Sequence, residues 1–190
     1  IVMQLSKSDY MLYLKHPAWL WLKKHDKEKL PLIDEGTQAM FDAGHKFEAY
    51  GEALFENGVT LGFNDYSEYN SLTERTQQAL NDGAKTVFQS RFTWGEYNCL
   101  PDIVDVVGDK EVNLYEIKSS THVKDEHLYD LAFQRIVIEA NGLTVRKIFV
   151  IYVNNEYVRH GDIKPEELTM VDDVTLSVHN LASFTESNMQ

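Results

Sequence analysis

Leu100-Pro-Asp-Ile-Val-Asp-Val-Val-Gly-Asp-Lys-Glu-Val-Asn-Leu-Tyr-Glu-Ile-Lys118 divides into two strand-like runs, Leu100 to Val107 and Val112 to Lys118, around the turn cluster Gly108-Asp109-Lys110. That pattern predicts an antiparallel β-hairpin. Its carboxylates need explaining, because acidic residues have poor strand propensity and otherwise demand solvent. If Gly108 to Lys110 form a three-residue loop, Val107 pairs with Glu111 and counting back sets Asp102 opposite Glu116. Their Cβ atoms would then lie roughly 5 Å apart on one face. Lys118 emerges on that face too, while Tyr115 and Ile117 point the other way. A two-residue turn at Asp109-Lys110 would instead put Ile117 opposite Asp102, so the site rests on a one-residue choice of register. Asp105 falls on the face opposite Asp102's in a regular alternation and is the lesser candidate.

Opposed carboxylates repel unless a positive charge lies between them. A divalent cation supplies one: Mg²⁺ takes oxygen ligands, keeps several waters and is commonly bound through one or two carboxylates. Such an ion can acidify a bound water and neutralise charge at a phosphoryl centre. The tripeptide acid-x-Lys is uninformative alone, since Asp162-Ile163-Lys164 repeats it in what reads as a turn.

Pro101-Asp102, then Glu116-Ile117-Lys118-Ser119-Ser120, then a helix carrying Gln134, resembles the PD-(D/E)XK nuclease superfamily, in the branch of RecB-like domains and CRISPR-associated exonucleases. Gly44-His45 resembles that branch's metal-binding histidine, and Leu5-Ser6-Lys7-Ser8-Asp9-Tyr10 its N-terminal helix. Tyr115 to Gln134 and Val153-Asn-Asn-Glu-Tyr-Val158 are similar to an uncharacterised domain family of the branch. The resemblance covers about Leu5 to Val158. It implies a restriction-endonuclease-like α/β core and a DNA phosphodiesterase, exonuclease-like, using Mg²⁺ or Mn²⁺. His45, Asp102, Glu116 and the Ile117 carbonyl would hold the ion, with Asp102, Glu116, Lys118 and Gln134 catalytic. Gln134, Ser119 and Lys124 would face substrate. RNA or nucleotides remain open as substrates. Where the family pattern places a tyrosine four residues after the glutamine, this chain has Ile138.

The rest of the chain adds a helix by caps at Ser6 and Asp9, broken at His16-Pro17 and followed by a turn-rich piece from Ala18 to His25. Trp19 and Trp21 read either as packing or as base-stacking residues. Lys15, Lys23, Lys24, Lys27 and Lys29 form the densest basic cluster, a solvated face or a phosphate track. A helix from about Thr37 to Glu56 follows, with His45, Glu48 and Glu52 on one stripe that could face the hairpin acids. Imidazole there would tilt the ion towards Mn²⁺. Gly58 to Tyr69 reads as loop, Ser71 to Gly83 as a short helix, and Thr86 to Trp94 as one strand. Asp125 to Asn141 is helical with Leu128, Leu131, Ala132 and Ile138 buried. Val145 to Val153 is a strand buried on both faces and parallel to the Glu116 strand. Pro165 opens a final helical region towards Ala182. The expected architecture is one α/β domain, a central mixed sheet of four or five strands flanked by helices.

The length of 190 residues suits a single domain. A single cysteine, Cys99, rules out an intramolecular disulfide and an all-cysteine iron–sulphur or zinc site within this sequence. There is no apolar run of about 20 residues to span a membrane and no secretory signal, which reads as cytoplasmic. The start without Met and the polar end at Thr185 to Gln190 suggest a piece of a longer protein with further domains. Acids outnumber bases 30 to 18, a net charge of −12. Nonspecific DNA affinity comes mainly from Lys and Arg on phosphates, so the charge points to a localised groove, a small substrate, or help from missing parts. The competing reading is a catalytically silent nuclease-fold module that binds nucleic acid or a protein partner.

Overall fold

A computed structural model describes residues 3–190. In chain order the elements are β1 (Leu5–Ser6), α1 (Lys7–Lys15), α2 (Pro17–His25), a 3-10 turn (Lys27–Lys29), α3 (Glu35–Glu52), β2 (Val59–Thr60), α4 (Tyr66–Asn81), β3 (Thr86–Phe88), β4 (Phe92–Trp94) and β5 (Tyr97–Cys99). The hairpin strands β6 (Ile103–Gly108) and β7 (Glu111–Ile117) come next, then α5 (Asp125–Glu139), β8 (Thr144–Val153), α6 (Pro165–Leu168), β9 (Thr169–Asp173), α7 (Thr175–His179) and α8 (Ala182–Asn188). The fold is mixed α/β, as expected, but the main sheet has six strands in the order β2-β3-β6-β7-β8-β9, not four or five. A second, three-stranded sheet runs β1-β5-β4. Among the described residues no helix is long and apolar enough to cross a membrane.

The hairpin resolves the register choice in an unanticipated way. The turn has two residues, with Gly108 paired to Glu111, yet a bulge at Val107 restores the count so that Val106 pairs with Val112 and Ile103 with Tyr115. A bulge inserts one extra residue on one strand. The next step of that ladder faces Asp102 to Glu116, the pairing expected from a three-residue loop.

Alternation along these strands sorts the core into two layers. Val104, Val112 and Leu114 point to the face covered by α5 through Leu131, Phe133 and Val137. Ile103, Tyr115 and Ile117 point to the other face, which α3 covers with Phe47, Tyr50 and Leu54. β7 and β8 are parallel, with α5 as their crossover, as the strand-helix-strand order predicts. Close approach of α3 depends on Gly51, where an added Cβ would lie 2.7 Å from Ile117 Cδ1 and 2.8 Å from its Cγ1. Gly51→Ala is therefore expected to destabilise the fold by about 1–3 kcal/mol through overpacking, despite alanine's better helix propensity. A chemical-denaturation midpoint at or above the parent's would refute this reading of the contact.

Caps explain the helix starts. Ser6 Oγ accepts from Asp9 N at 3.2 Å while Asp9 Oδ2 accepts from Ser6 N at 2.9 Å, the expected reciprocal box. His16 ends α1, and its Nδ1 then accepts from Ala18 N at 3.1 Å to cap α2, with Pro17 at the first helical position. Four boundaries differ from expectation. α3 starts earlier, because Asp34 caps it by accepting from Thr37 N, and it ends at Glu52 rather than Glu56. α4 begins at Tyr66, because Asp65 caps it at Glu68 N, and Ser71 lies inside the helix with its hydroxyl donating to Glu68 O. Thr86 to Trp94 is two strands in two sheets, since Gln89 adopts φ 54° and turns a corner. The final region is broken by β9, which adds an antiparallel edge to β8. β8 also departs from full burial: Arg146 and Lys147 are exposed where it runs beyond its helical cover.

Candidate active site

Asp102 stands one residue before β6 and is fixed by backbone: its Oδ2 accepts from Ile117 N at 2.7 Å. Glu116 points to the α5 side with 2% of its surface exposed. Its Oε1 accepts from Lys118 Nζ at 2.9 Å and from Lys7 Nζ at 2.7 Å, and its Oε2 accepts from Gln134 Nε2 at 2.9 Å. Lys118 Nζ also donates to Asp130 Oδ2 at 3.0 Å. Gln134 Nε2 donates as well to Asp130 Oδ1 at 2.8 Å, the two residues being one helical turn apart on α5. Lys7 Nζ lies 3.8 Å from Asp130. Three acids and two ammoniums thus meet where the hairpin, α5 and the start of α1 converge.

Buried charges persist only when paired and hydrogen-bonded, and here the pairing sets the two opposed acids apart. Burial alone would raise the Glu116 carboxyl, but Lys118, Lys7 and the Gln134 hydrogen bond hold it well below the usual carboxylate range. Asp102 is pushed up to about 8, first by burial and then by the charge of Glu116. Burial would lower Lys118, yet Glu116 and Asp130 raise its ammonium above the ordinary lysine value. His127, buried beside the cluster, is lowered to about 4 by burial and by Lys118; its Nδ1 accepts from Lys124 N at 3.1 Å.

The Asp102 shift has a definite sign in stability. An unfolded carboxyl loses its proton near 3.8, whereas the folded one keeps it to about 8, so folding takes up a proton between those values and stability falls as pH rises through them. In chelator-treated protein, Asp102→Asn should gain progressively on the parent between pH 4 and pH 8, by at most about 6 kcal/mol, and no further above that. A gap that stays flat across this range, read from thermal melts, would contradict the shift.

The chemistry of the donor set fits a hard divalent ion. Asp102 and Glu116 offer opposed carboxylate oxygens, and a dication would take the place of the proton on the first. His45 is not brought to them. It sits on α3, which covers the opposite face of the sheet; its side chain is 75% exposed and its Nδ1 lies 3.5 Å from Glu48. Among the described residues no group of three or more His, Cys, Asp or Glu is arranged to hold a metal ion. Glu52 is also diverted, accepting from Gln89 Nε2 at 3.1 Å. Ile117 places its side chain under α3 and its N–H on Asp102. Ser119 and Lys124 are exposed, and Ser119 Oγ lies 3.7 Å from where a Cβ on Gly44 would be.

Two members of the cluster went unassigned by sequence. Asp130 precedes Gln134 by one helical turn, so the spacing could have flagged it. Lys7 had no such signal, because only the folded chain brings α1 to β7. Of the basic cluster, Lys23 and Lys24 are tied to buried Asp9 at 2.6 and 2.8 Å, which docks α2 on α1 and removes both from any phosphate track. Trp19 and Trp21 are half-exposed, at 40% and 58%.

No protein-family model and no curated protein matches the chain. Among solved structures, LHK-Exo in complex with dAMP aligns at 10% identity over 99% of this chain and 89% of that one, with a TM-score of 0.46. The alkaline exonuclease LHK-Exo from Laribacter hongkongensis aligns at 10% identity over 98% and 87%, with a TM-score of 0.35.

Proposed function

We propose that this chain is a PD-(D/E)XK-type, RecB-like phosphodiesterase that hydrolyses DNA, exonuclease-like, with Mg²⁺ or Mn²⁺ held by Asp102 and Glu116. The observation that carries the reading is the hydrogen-bonded convergence of Glu116, Lys118 and Gln134, with Asp102 held beside them by the Ile117 N–H. A bound divalent ion would stabilise charge on the phosphoryl oxygens and acidify the attacking water. Lys118, held charged between Glu116 and Asp130, serves as a donor to that water and to the developing charge on phosphorus. Gln134 fixes the Glu116 carboxylate and, through Asp130, the lysine. In hydrolysis the attacking water gives a proton to solvent as its oxygen forms the new P–O bond, the other P–O bond breaks, and the departing oxygen takes a proton from solvent. His45 enters only as an outer candidate, at the exposed edge where Gly44 nears Ser119.

The test uses end-labelled linear DNA incubated with Mn²⁺, Mg²⁺ or chelator, with Asp102→Asn as control. Ion-dependent release of nucleotides by the parent alone is expected. Intact DNA in every condition would sink the enzymatic reading and leave the silent binding module, which the net charge of −12 favours.

A further inference from the structure

Glu116 Oε1 receives two ammoniums, and they differ in origin. Lys118 lies two residues from Glu116 on the same strand and has a second carboxylate, Asp130, at 3.0 Å. Lys7 arrives from the first position of α1, has only the longer contact of 3.8 Å to Asp130, and keeps 23% of its side chain exposed. α1 is anchored to α5 independently of this contact by stacking of Tyr10 on Phe133 at 5.0 Å, and the Asp9–Lys23 and Asp9–Lys24 pairs tie it to α2. The lysine side chain can therefore leave while its helix stays. An ion binding between Asp102 and Glu116 needs an oxygen of Glu116; the two ammoniums are about equally exposed, at 23% and 26%, and Lys7 is the one that a second carboxylate holds less closely.

We propose that Lys7 is a tethered cation that occupies Glu116 in the ion-free protein and competes with the divalent ion for it. This deepens the metal-site reading above and rests on it. Two ligands that exclude each other at one site are negatively coupled, so the ammonium lowers the apparent affinity for the ion and keeps the acids neutralised when none is bound. If Lys7 leaves Glu116 free only about a tenth of the time, removing the ammonium tightens ion binding about tenfold.

The experiment is calorimetric titration of Mn²⁺ into the parent, Lys7→Met, Lys7→Arg, and Lys7→Met combined with Asp102→Asn. Lys7→Met is expected to bind Mn²⁺ about tenfold more tightly than the parent, and the added Asp102→Asn to abolish that gain. Lys7→Arg, which keeps the charge and grips a carboxylate through two bonds, should bind no more tightly than the parent. A parent that shows no binding while Lys7→Met binds supports the same conclusion. Equal or weaker binding by Lys7→Met, or tighter binding by Lys7→Arg, overturns it; the arginine variant decides the matter if Lys7→Met does not fold. Binding that is equal in parent and Lys7→Met but lost with Asp102→Asn discards the competing role and keeps the metal site. Binding indifferent to Asp102 discards both.

Discussion

Lys118→Ala is expected to lower ion-dependent DNA cleavage by about 10²–10⁴-fold, the range for removing a positioned proton-handling or charge-stabilising group. The fold should survive, because Lys7 remains on Glu116 at 2.7 Å and Gln134 continues to bridge Glu116 and Asp130. Two charge-assisted bonds are lost, so a modest decrease in stability of about 1–2 kcal/mol should accompany the change. Mn²⁺ binding should persist, since Asp102 and Glu116 are untouched. That separation of binding from chemistry is the diagnostic result. A variant that cleaves at the parent's rate would remove Lys118 from the mechanism.

Glu116→Gln should carry the largest cost to the molecule itself. The carboxylate satisfies two lysines and an amide at once, with 2% of its surface exposed. A neutral amide of the same shape cannot accept with both of its ends, and it leaves the ammoniums with Asp130 as their near acid. Breaking a buried pair by removing one partner costs about 3–5 kcal/mol; because Lys7 and Lys118 keep 23% and 26% exposure, the lower end, about 3 kcal/mol, is expected. Mn²⁺ binding and cleavage should both disappear. A urea midpoint within error of the parent's, or retained Mn²⁺ binding, would show that Glu116 is not the centre of the cluster.

The α/β class, the hairpin, the parallel β7–β8 pair and the cap at Ser6 were legible because each is a local pattern or follows from chain connectivity. The pairing of Asp102 with Glu116 was read correctly through an incorrect turn: periodicity specified the faces, but not how a two-residue turn and the Val107 bulge would combine to give them. Ser71 misled because it resembles a helix cap, while Asp65 already provided one upstream. His45 was placed on the stripe of α3 that could face the acids, but helical spacing does not say which face of a sheet a helix will cover. Lys7 is the plainest case of information absent from any local pattern. Its partner is 109 positions away, and their meeting depends on how α1 docks beside α5.

That separation bears on the order in which the molecule is made. Closing so long a loop costs entropy, so this contact is expected to form after the local hairpin and the β7–α5–β8 crossover. Until α1 docks, Glu116 and Asp130 have only Lys118 between them, so the nascent cluster carries excess negative charge at its centre. Divalent ions present during refolding should relieve that repulsion at the same step, making the docking of α1 the stage at which the folding rate is most sensitive to dissolved cations.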